Sequence, residues 1–354
     1  MSVPTFIVGT GRCGSTLLSN LICRHPKIAS LSEFFSLASD MGGRFKEIFP
    51  KEPISGPDFW ALFGEVYGRT DLMIKHDVAM PEIIYPWTQE GVRFTAETGV
   101  PLISQTTLPH LTEDFDALYD EVAAFTKALP TAPVGEQYTA LFEWLQARFE
   151  ADVWIERSGG IFNVMQDVHE TFPEARYIHI VRDGRNTALS MNGHRGFRLF
   201  VLGQFLADSL KVDPYYDDNR DKLRRVPKRY RVYLPETFDA QAFDAHRFPL
   251  SMMGNLWSGQ VKMGLKTLDL VPAERLLTIR YEDLLEDPRV QLTRLTDFLG
   301  ADFGDAAWLE DCASVVRSPR SAWEKLSDEE QATLLRACRP GFEALAERGV
   351  NYEV

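Results

Sequence analysis

A glycine-rich turn near the start of the chain carries the first residues that could do chemistry. Gly9 to Thr16 read GTGRCGST, which fits the phosphate-loop pattern G-x-x-x-x-G-K-[ST] except that Ser15 stands in place of the lysine. In nucleoside-triphosphate enzymes that lysine reaches the β- and γ-phosphates, so its absence weakens a kinase or NTPase interpretation. Backbone N–H groups, hydroxyls and the Arg12 cation remain, and these suit a smaller anionic group.

A second anion-binding pattern lies in the sequence YIHIVRDGRNTALSM, residues 177–191. An apolar strand ends at Val181, and Arg182 follows at its carboxyl end, where open α/β sheets bind ligands. Ser190 lies two turns into the next helix, so both side chains can reach one phosphate. Because arginine presents the fork geometry that phosphate prefers, this pair predicts a second anion site.

Strands alternate with helices around these motifs. We predict strands at 5–8, 27–31, 153–156, 176–181 and 276–280, and helices at 14–25, 160–171, 184–193, 287–299 and 327–347. This alternation predicts an α/β fold with a P-loop-type parallel β-sheet flanked by helices. Helical insertions at about 34–150 and 196–250 interrupt the pattern. We expect residues 1–354 to form a single domain in which these insertions make the acceptor side.

In combination, these motifs resemble the sulfotransferases that use 3′-phosphoadenosine 5′-phosphosulfate (PAPS). GTGRCGSTLL resembles the 5′-phosphosulfate loop of that family, VRDGRNTALS its 3′-phosphate motif, and RYEDLLEDP at 280–288 the segment that follows on a later strand. The subtype is closest to the one that contains the protein-tyrosine and several bacterial sulfotransferases. The resemblance implies that PAPS is the cosubstrate, without a metal, and that it is bound by Gly11, Arg12, Cys13, Gly14, Ser15, Thr16, Arg182 and Ser190.

The resemblance also indicates catalytic residues. Glu33 follows a predicted strand in the sequence LSEFF and matches the position of the catalytic glutamate of the subtype, so we expect it to be the general base. His76, in a lysine-histidine pair, is the alternative base. Arg157 ends the strand 153–156, where the subtype tends to have a lysine, and would stabilise charge on the sulfonate together with Arg12.

Two later segments resemble the nucleotide side of the family. Tyr281 matches a position that can touch the nucleotide, and a core role is the alternative. The sequence VVRSPRSAWEKLSDEE at 315–330 resembles the final loop over PAPS, although Ala322 stands where the family has a lysine. Ser327 and Glu330 predict a capping box on the helix that follows. Three basic residues can replace the missing lysine, and the choice among them stays open: Arg317, Arg320 and Lys325.

Composition restricts the partners. The chain has 354 residues and a net charge of −13, which opposes general nucleic-acid binding. The four cysteines lack paired spacing, so metal and disulfide sites are not expected. Cys13 either has a lowered pKa at the helix start or fills a tight loop.

No run of about 18 apolar residues is present and the first strand begins beside Met1, so we expect a cytoplasmic enzyme without stable membrane insertion. The sequence does not decide whether the protein forms a homodimer.

The predicted reaction is in-line transfer of a sulfuryl group from PAPS to a hydroxyl or amine of a small-molecule, carbohydrate or lipid acceptor. The alternative is a kinase-like P-loop nucleotide-binding protein with a degenerate Walker A motif. That alternative requires Lys27 or Lys75 to replace the missing lysine from a distance.

Overall fold

The chain divides into two compact units. A computed structural model describes residues 2–211, 213–215, 223–300, 303–317 and 321–353. The first unit comprises Met1–Glu33, Val134–Ser190 and Pro249–Val354, and the second comprises Phe34–Pro133 and Met191–Phe248. The first unit contains the loop Gly9–Thr16 and residues 177–190 of the second anion-binding pattern.

A five-stranded parallel sheet organises the first unit. Its strands are β1 (Thr5–Val8), β2 (Ile28–Ser32), β3 (Val153–Arg157), β4 (Arg176–Val181) and β5 (Leu276–Arg280). Their order across the sheet is β2-β3-β1-β4-β5, and every neighbouring pair is parallel. The predicted α/β class with a flanked parallel sheet is therefore confirmed.

The strands form because their sequences suit burial on both faces. Every residue of β1, β2 and β3 is buried, as expected for parallel strands that read as nearly continuous apolar runs. On one face, Leu18 and Leu295 belong to one buried cluster with the sheet. On the other face the packing is aromatic, and the rings of Phe6 and Trp154 lie 5.6 Å apart.

Helices flank this sheet. The one after β1 begins at Ser15, and the helix Val134–Arg148 packs on β2 and β3, with the ring of Phe142 4.9 Å from that of Trp154. This helix belongs to the first unit, although the sequence pattern groups it with the insertion at 34–150. The α-helices after the strands and toward the C-terminus are Ser15–Ile22, Met165–Thr171, Gly184–Gly193, Leu250–Leu268, Tyr281–Glu286, Pro288–Leu299, Ala306–Val315 and Asp328–Ala346.

The second unit is helical in its described part. Its longest helices are Phe115–Lys127 and Arg195–Leu210, with shorter ones at Phe34–Ser36, Gly56–Ala61, Gly68–Lys75, Leu102–Gln105, Thr107–Leu111, Lys228–Arg231 and Ala240–Ala245. Leu72, Leu102 and Leu199 are buried in one apolar cluster. The insertion at 196–250 also contains a charged segment, DDNRDKLRRVPKRYR at 217–231, which lies partly outside the described residues. Within the described part of the chain, no helix is both long enough and apolar enough to cross a membrane.

Candidate active site

The strand order aligns the predicted site residues along one edge of the sheet. Glu33 follows β2, Arg157 ends β3, the loop Gly9–Gly14 follows β1, Arg182 follows β4 and Tyr281 follows β5. Because all five strands are parallel, their carboxyl ends lie at the same edge, which is where α/β sheets bind ligands. The structure thus assembles side chains that come from five distant segments of the sequence.

The loop after β1 has a shape that glycine makes possible. Gly11 and Gly14 have positive φ angles of 72° and 98°, and Arg12 between them has a φ of 54°. Gly14 caps the helix that begins at Ser15. A Cβ on Gly14 would lie only 2.1 Å from Cδ2 of Tyr281, so a larger residue cannot fit below that ring.

Side chains of the two predicted anion sites contact each other. Arg12 Nε donates a hydrogen bond to Ser190 Oγ at 3.2 Å. Arg182 Nη1 donates to the carbonyl oxygen of Arg12 at 3.2 Å, and its guanidinium lies 4.8 Å from the centre of the Tyr281 ring. Two arginines and one serine from the separate motifs therefore form one cluster, with Tyr281 in contact with it.

The remaining loop residues are largely enclosed. Cys13 and Ser15 are buried, and Thr16 is half-buried. Burial raises the pKa of the Cys13 thiol, so the alternative of a lowered pKa at the helix start is wrong. A Cβ on Gly9 would lie 2.7 Å from Cys13 Sγ, which shows that the cysteine fills a tight loop.

Glu33 and Arg157 form a buried ion pair at the ends of β2 and β3. Arg157 Nη1 donates to Glu33 Oε1, and Arg157 Nη2 donates to Ser32 Oγ at 2.7 Å. The second carboxylate oxygen of Glu33 accepts the backbone N–H of Gly159 at 2.9 Å. Glu33 itself has a φ of 59°, in the left-handed region that is uncommon for residues other than glycine. The pair follows from the sheet register, which places Ser32 opposite Arg157.

A cavity of about 720 Å³ lies in the first unit beside this cluster. Three arginines are among the residues that line it, Arg182, Arg185 and Arg280, together with the aromatic residues Tyr281 and Trp323. The volume falls within the range of roughly 300–1,000 Å³ that is usual for small-molecule sites. The other lining residues are Asp183, Asn186, Glu282, Ser321, Glu324, Asn351, Tyr352 and Glu353.

One wall of the cavity is held together by Arg185 and Asn186, which follow Arg182 in the chain. Arg185 Nη2 pairs with Asp183 Oδ2 at 2.5 Å, and the Arg185 guanidinium lies 3.9 Å from the centre of the Trp323 ring. Asn186 Oδ1 accepts the backbone N–H of Ala322 at 2.8 Å. The sequence prediction does not assign roles to Arg185 and Asn186, although both lie inside the VRDGRNTALS motif that could have drawn attention to them.

The remaining candidate site residues are not among those that line the cavity, or lie outside the described residues. Arg317 is exposed and donates to the carbonyl oxygen of Ser314 at 2.9 Å, and neither it nor Lys325 is among the residues that line the cavity. Arg320 lies outside the described residues. His76 belongs to the second unit, where it ends the helix Gly68–Lys75 and its ring lies 4.9 Å from that of Phe238.

The described residues offer no metal-binding cluster. Among residues 2–211, 213–215, 223–300, 303–317 and 321–353, no group of three or more histidine, cysteine, aspartate and glutamate side chains could hold a metal ion. The described residues do supply positive groups at the site, in the form of guanidinium groups and the N–H groups at the start of the helix Ser15–Ile22.

Comparison with known proteins supports the resemblance of the motifs. The family model described as the sulfotransferase family matches residues 219–305. This segment contains RYEDLLEDP at 280–288, one of the three stretches that resemble that family, and it begins inside the insertion at 196–250. The family resemblance is thus confirmed. No curated protein matches the chain.

Several solved structures are similar to this chain at low identity. The sulfotransferase domain from the Synechococcus PCC 7002 olefin synthase is 19% identical, with a TM-score of 0.42, and the match covers 100% of this chain and 97% of that one. The sulfotransferase domain from the curacin biosynthetic pathway is 15% identical, with a TM-score of 0.45 and coverage of 100% and 99%. Sulfotransferase STF9 from Mycobacterium avium is 16% identical, with a TM-score of 0.44 and coverage of 98% and 76%.

Proposed function

We propose that this chain, which matches the sulfotransferase family over residues 219–305, transfers a sulfuryl group from PAPS to a hydroxyl or amine. The observation that carries the proposal is the cluster in which Arg182 donates to the Arg12 carbonyl and Arg12 donates to Ser190. Two cations and a hydroxyl from separate motifs meet there beside a cavity of about 720 Å³. Such a cluster suits a ligand that carries two separate anionic groups on one nucleoside.

The residues of the site fit the chemistry of PAPS. The loop with Gly11, Arg12 and Gly14 would hold the 5′-phosphosulfate, since its glycines leave room for close backbone approach and the following helix presents N–H groups. Arg182 and Ser190 would hold the 3′-phosphate. The nucleoside would lie in the cavity, where Tyr281 and Trp323 supply apolar surface.

The reaction would proceed at the ends of β2 and β3. Glu33 would accept the proton of the acceptor hydroxyl or amine as the new bond from that atom to sulfur forms. The bond between sulfur and the bridging oxygen of PAPS breaks, and adenosine 3′,5′-bisphosphate leaves. Arg157 and Arg12 would stabilise the negative charge on the sulfonate and the leaving phosphate. Catalysis would then come mainly from positioning of the reactants and from electrostatic stabilisation of that charge. The acceptor is a small molecule, a carbohydrate or a lipid.

Calorimetry with two nucleotides tests the donor. We expect the chain to bind adenosine 3′,5′-bisphosphate without any divalent cation, and more tightly than ATP with Mg²⁺. A preference for ATP with Mg²⁺ would support the kinase-like alternative and refute the proposal. An acceptor screen by mass spectrometry, read as the gain of one SO₃ group, then identifies the substrate.

Substitution of the proposed base tests the mechanism. Glu33→Gln keeps an oxygen that can accept the Gly159 N–H but cannot take up the acceptor proton. We expect turnover to be lost while affinity for adenosine 3′,5′-bisphosphate stays nearly unchanged, in an assay at a temperature where an unfolding curve shows the variant folded. A folded variant that retains the full rate would exclude Glu33 as the base.

A further inference from the structure

The C-terminal residues of the described chain form part of the cavity. Asn351, Tyr352 and Glu353 line it together with Arg182 and Tyr281. The Tyr352 ring is fixed on two sides, because the Arg280 guanidinium lies 4.7 Å from its centre and the Phe342 ring lies 5.5 Å away. A flexible tail would not provide such contacts, so this segment is a built wall of the site.

The Tyr352 hydroxyl begins a series of two hydrogen bonds that ends at the backbone N–H of Asp183, the residue after Arg182. It donates to Glu282 Oε2 at 3.2 Å, and Glu282 Oε1 accepts the backbone N–H of Asp183 at 3.0 Å. That N–H belongs to the peptide group that joins Asp183 to Arg182. Burial raises the pKa of Tyr352, so the phenol stays protonated and keeps its role as hydrogen-bond donor.

These two hydrogen bonds connect segments that follow two neighbouring strands. Glu282 lies in the first turn of the helix Tyr281–Glu286 after β5, whereas Arg182 and Asp183 follow β4, so Glu282 links the carboxyl ends of two neighbouring strands. Tyr352 fixes one oxygen of that carboxylate and thereby orients the other toward Asp183. A shift of Glu282 would release the peptide that sets the direction of the Arg182 side chain.

We propose that Tyr352 is a positioning residue for nucleotide binding, which acts through Glu282 on Arg182 and favours ligands that carry a 3′-phosphate. The proposal rests on the proposed function, because that function makes Arg182 the ligand of the 3′-phosphate. Tyr352 itself does not take part in the transfer step. Its effect is therefore expected in nucleotide affinity and in the KM for PAPS, and not in kcat.

The Tyr352→Phe variant tests this role, because it removes only the hydroxyl and keeps the ring beside Arg280. We expect its Kd for adenosine 3′,5′-bisphosphate to rise about tenfold, the factor that corresponds to roughly 1.4 kcal/mol, near the lower end for a hydrogen bond to a charged group. Its Kd for adenosine 5′-monophosphate, which lacks the 3′-phosphate, should stay within about twofold of the parent value, since Arg182 has no phosphate to hold there.

A matched control tests whether removing a hydrogen-bonded tyrosine hydroxyl elsewhere in the protein has the same effect on nucleotide affinity. Tyr119 in the second unit also donates one hydrogen bond, to the Gly64 carbonyl at 2.8 Å, and burial raises its pKa as well. The Tyr119→Phe variant should bind both nucleotides as the parent does. Glu282→Gln is a second route to the same result if Tyr352→Phe does not fold, and it should show the same selective loss for the 3′-phosphate.

The outcomes distinguish the two proposals. Loss of affinity for the bisphosphate alone supports the positioning role. Unchanged affinity for both nucleotides, or an equal loss for both, overturns it while leaving the proposed function intact. A parent chain that binds no adenosine 3′,5′-bisphosphate overturns the proposed function, and the role of Tyr352 with it.

Discussion

Replacement of Arg157 by methionine should destabilise the first unit strongly. The side chains of Arg157 and Glu33 are 2% and 8% exposed, so the variant would leave the Glu33 carboxylate buried with the Gly159 N–H and without its guanidinium partner. Removing one member of a buried ion pair typically costs about 3–5 kcal/mol, because the remaining charge is not compensated. We therefore expect the free energy of unfolding to fall by about 4 kcal/mol.

A double-mutant cycle isolates this interaction. Glu33→Gln alone should also be destabilising, by about 3 kcal/mol, since it leaves the Arg157 cation buried beside Ser32 Oγ. The double variant Arg157→Met with Glu33→Gln removes both charges, and we expect it to lie within about 2 kcal/mol of the parent. Unfolding in urea, followed by tryptophan fluorescence, provides all four values. Additive losses, or a loss below about 1 kcal/mol for Arg157→Met, would refute the view that the two charges depend on each other.

Three further predictions concern other parts of the first unit. Burial, with a smaller contribution from Arg348, lowers the pKa of His179 to about 4. Because the unfolded chain then binds a proton more readily than the folded one, the free energy of unfolding should fall by up to about 3 kcal/mol as the pH drops from about 6.5 toward 4. His179→Gln should remove that part of the decline when the free energy of unfolding is measured at several pH values. Gly14→Ala, which forces a Cβ against Tyr281 at a φ of 98°, should abolish nucleotide binding in calorimetry and cost about 2 kcal/mol or more. Ser327→Ala removes the observed capping box and should cost about 1 kcal/mol in urea unfolding.

Each of these three has a result that would contradict it. A His179→Gln variant with the parental pH dependence would show that other groups cause the decline. Gly193→Ala is the control for Gly14→Ala, because a Cβ at Gly193 meets no atom within 4 Å, and equal effects of both substitutions would exclude a steric cause. An unchanged unfolding midpoint for Ser327→Ala would mean that the cap contributes nothing to the helix Asp328–Ala346.

The strands and the phosphate-type motifs could be predicted because local sequence determines them. The apolar runs TFIV and RYIHIV, at 5–8 and 176–181, form strands at the predicted positions since their residues are buried on both faces. Glu33, Arg157 and Arg182 could each be recognised as polar residues at the end of such a run. A strand end in a parallel sheet is enough to predict that a side chain lies at the ligand edge.

Contacts between distant segments could not be predicted in the same way. The ion pair of Glu33 and Arg157 depends on β2 and β3 being neighbours in register, which neither strand's sequence encodes. The role of Tyr352 in the cavity depends on where the chain returns after the helix Asp328–Ala346. The sequence pattern groups the helix Val134–Arg148 with the insertion, because periodicity identifies a helix without identifying the surface that it covers.

The ring of Tyr281 over Gly14 has a consequence for the order in which the protein folds. The two residues lie about 270 positions apart, and the helix after the loop also contacts a late segment, with Trp308 Nε1 donating to the Leu21 carbonyl at 2.9 Å. The loop therefore acquires its final support only after β5, the turn to Tyr281 and the helix Ala306–Val315 have been synthesised and docked. Since contacts of such large sequence separation slow folding, a nascent chain would complete its anion-binding loop only after these later segments have docked, although the loop precedes them in the sequence.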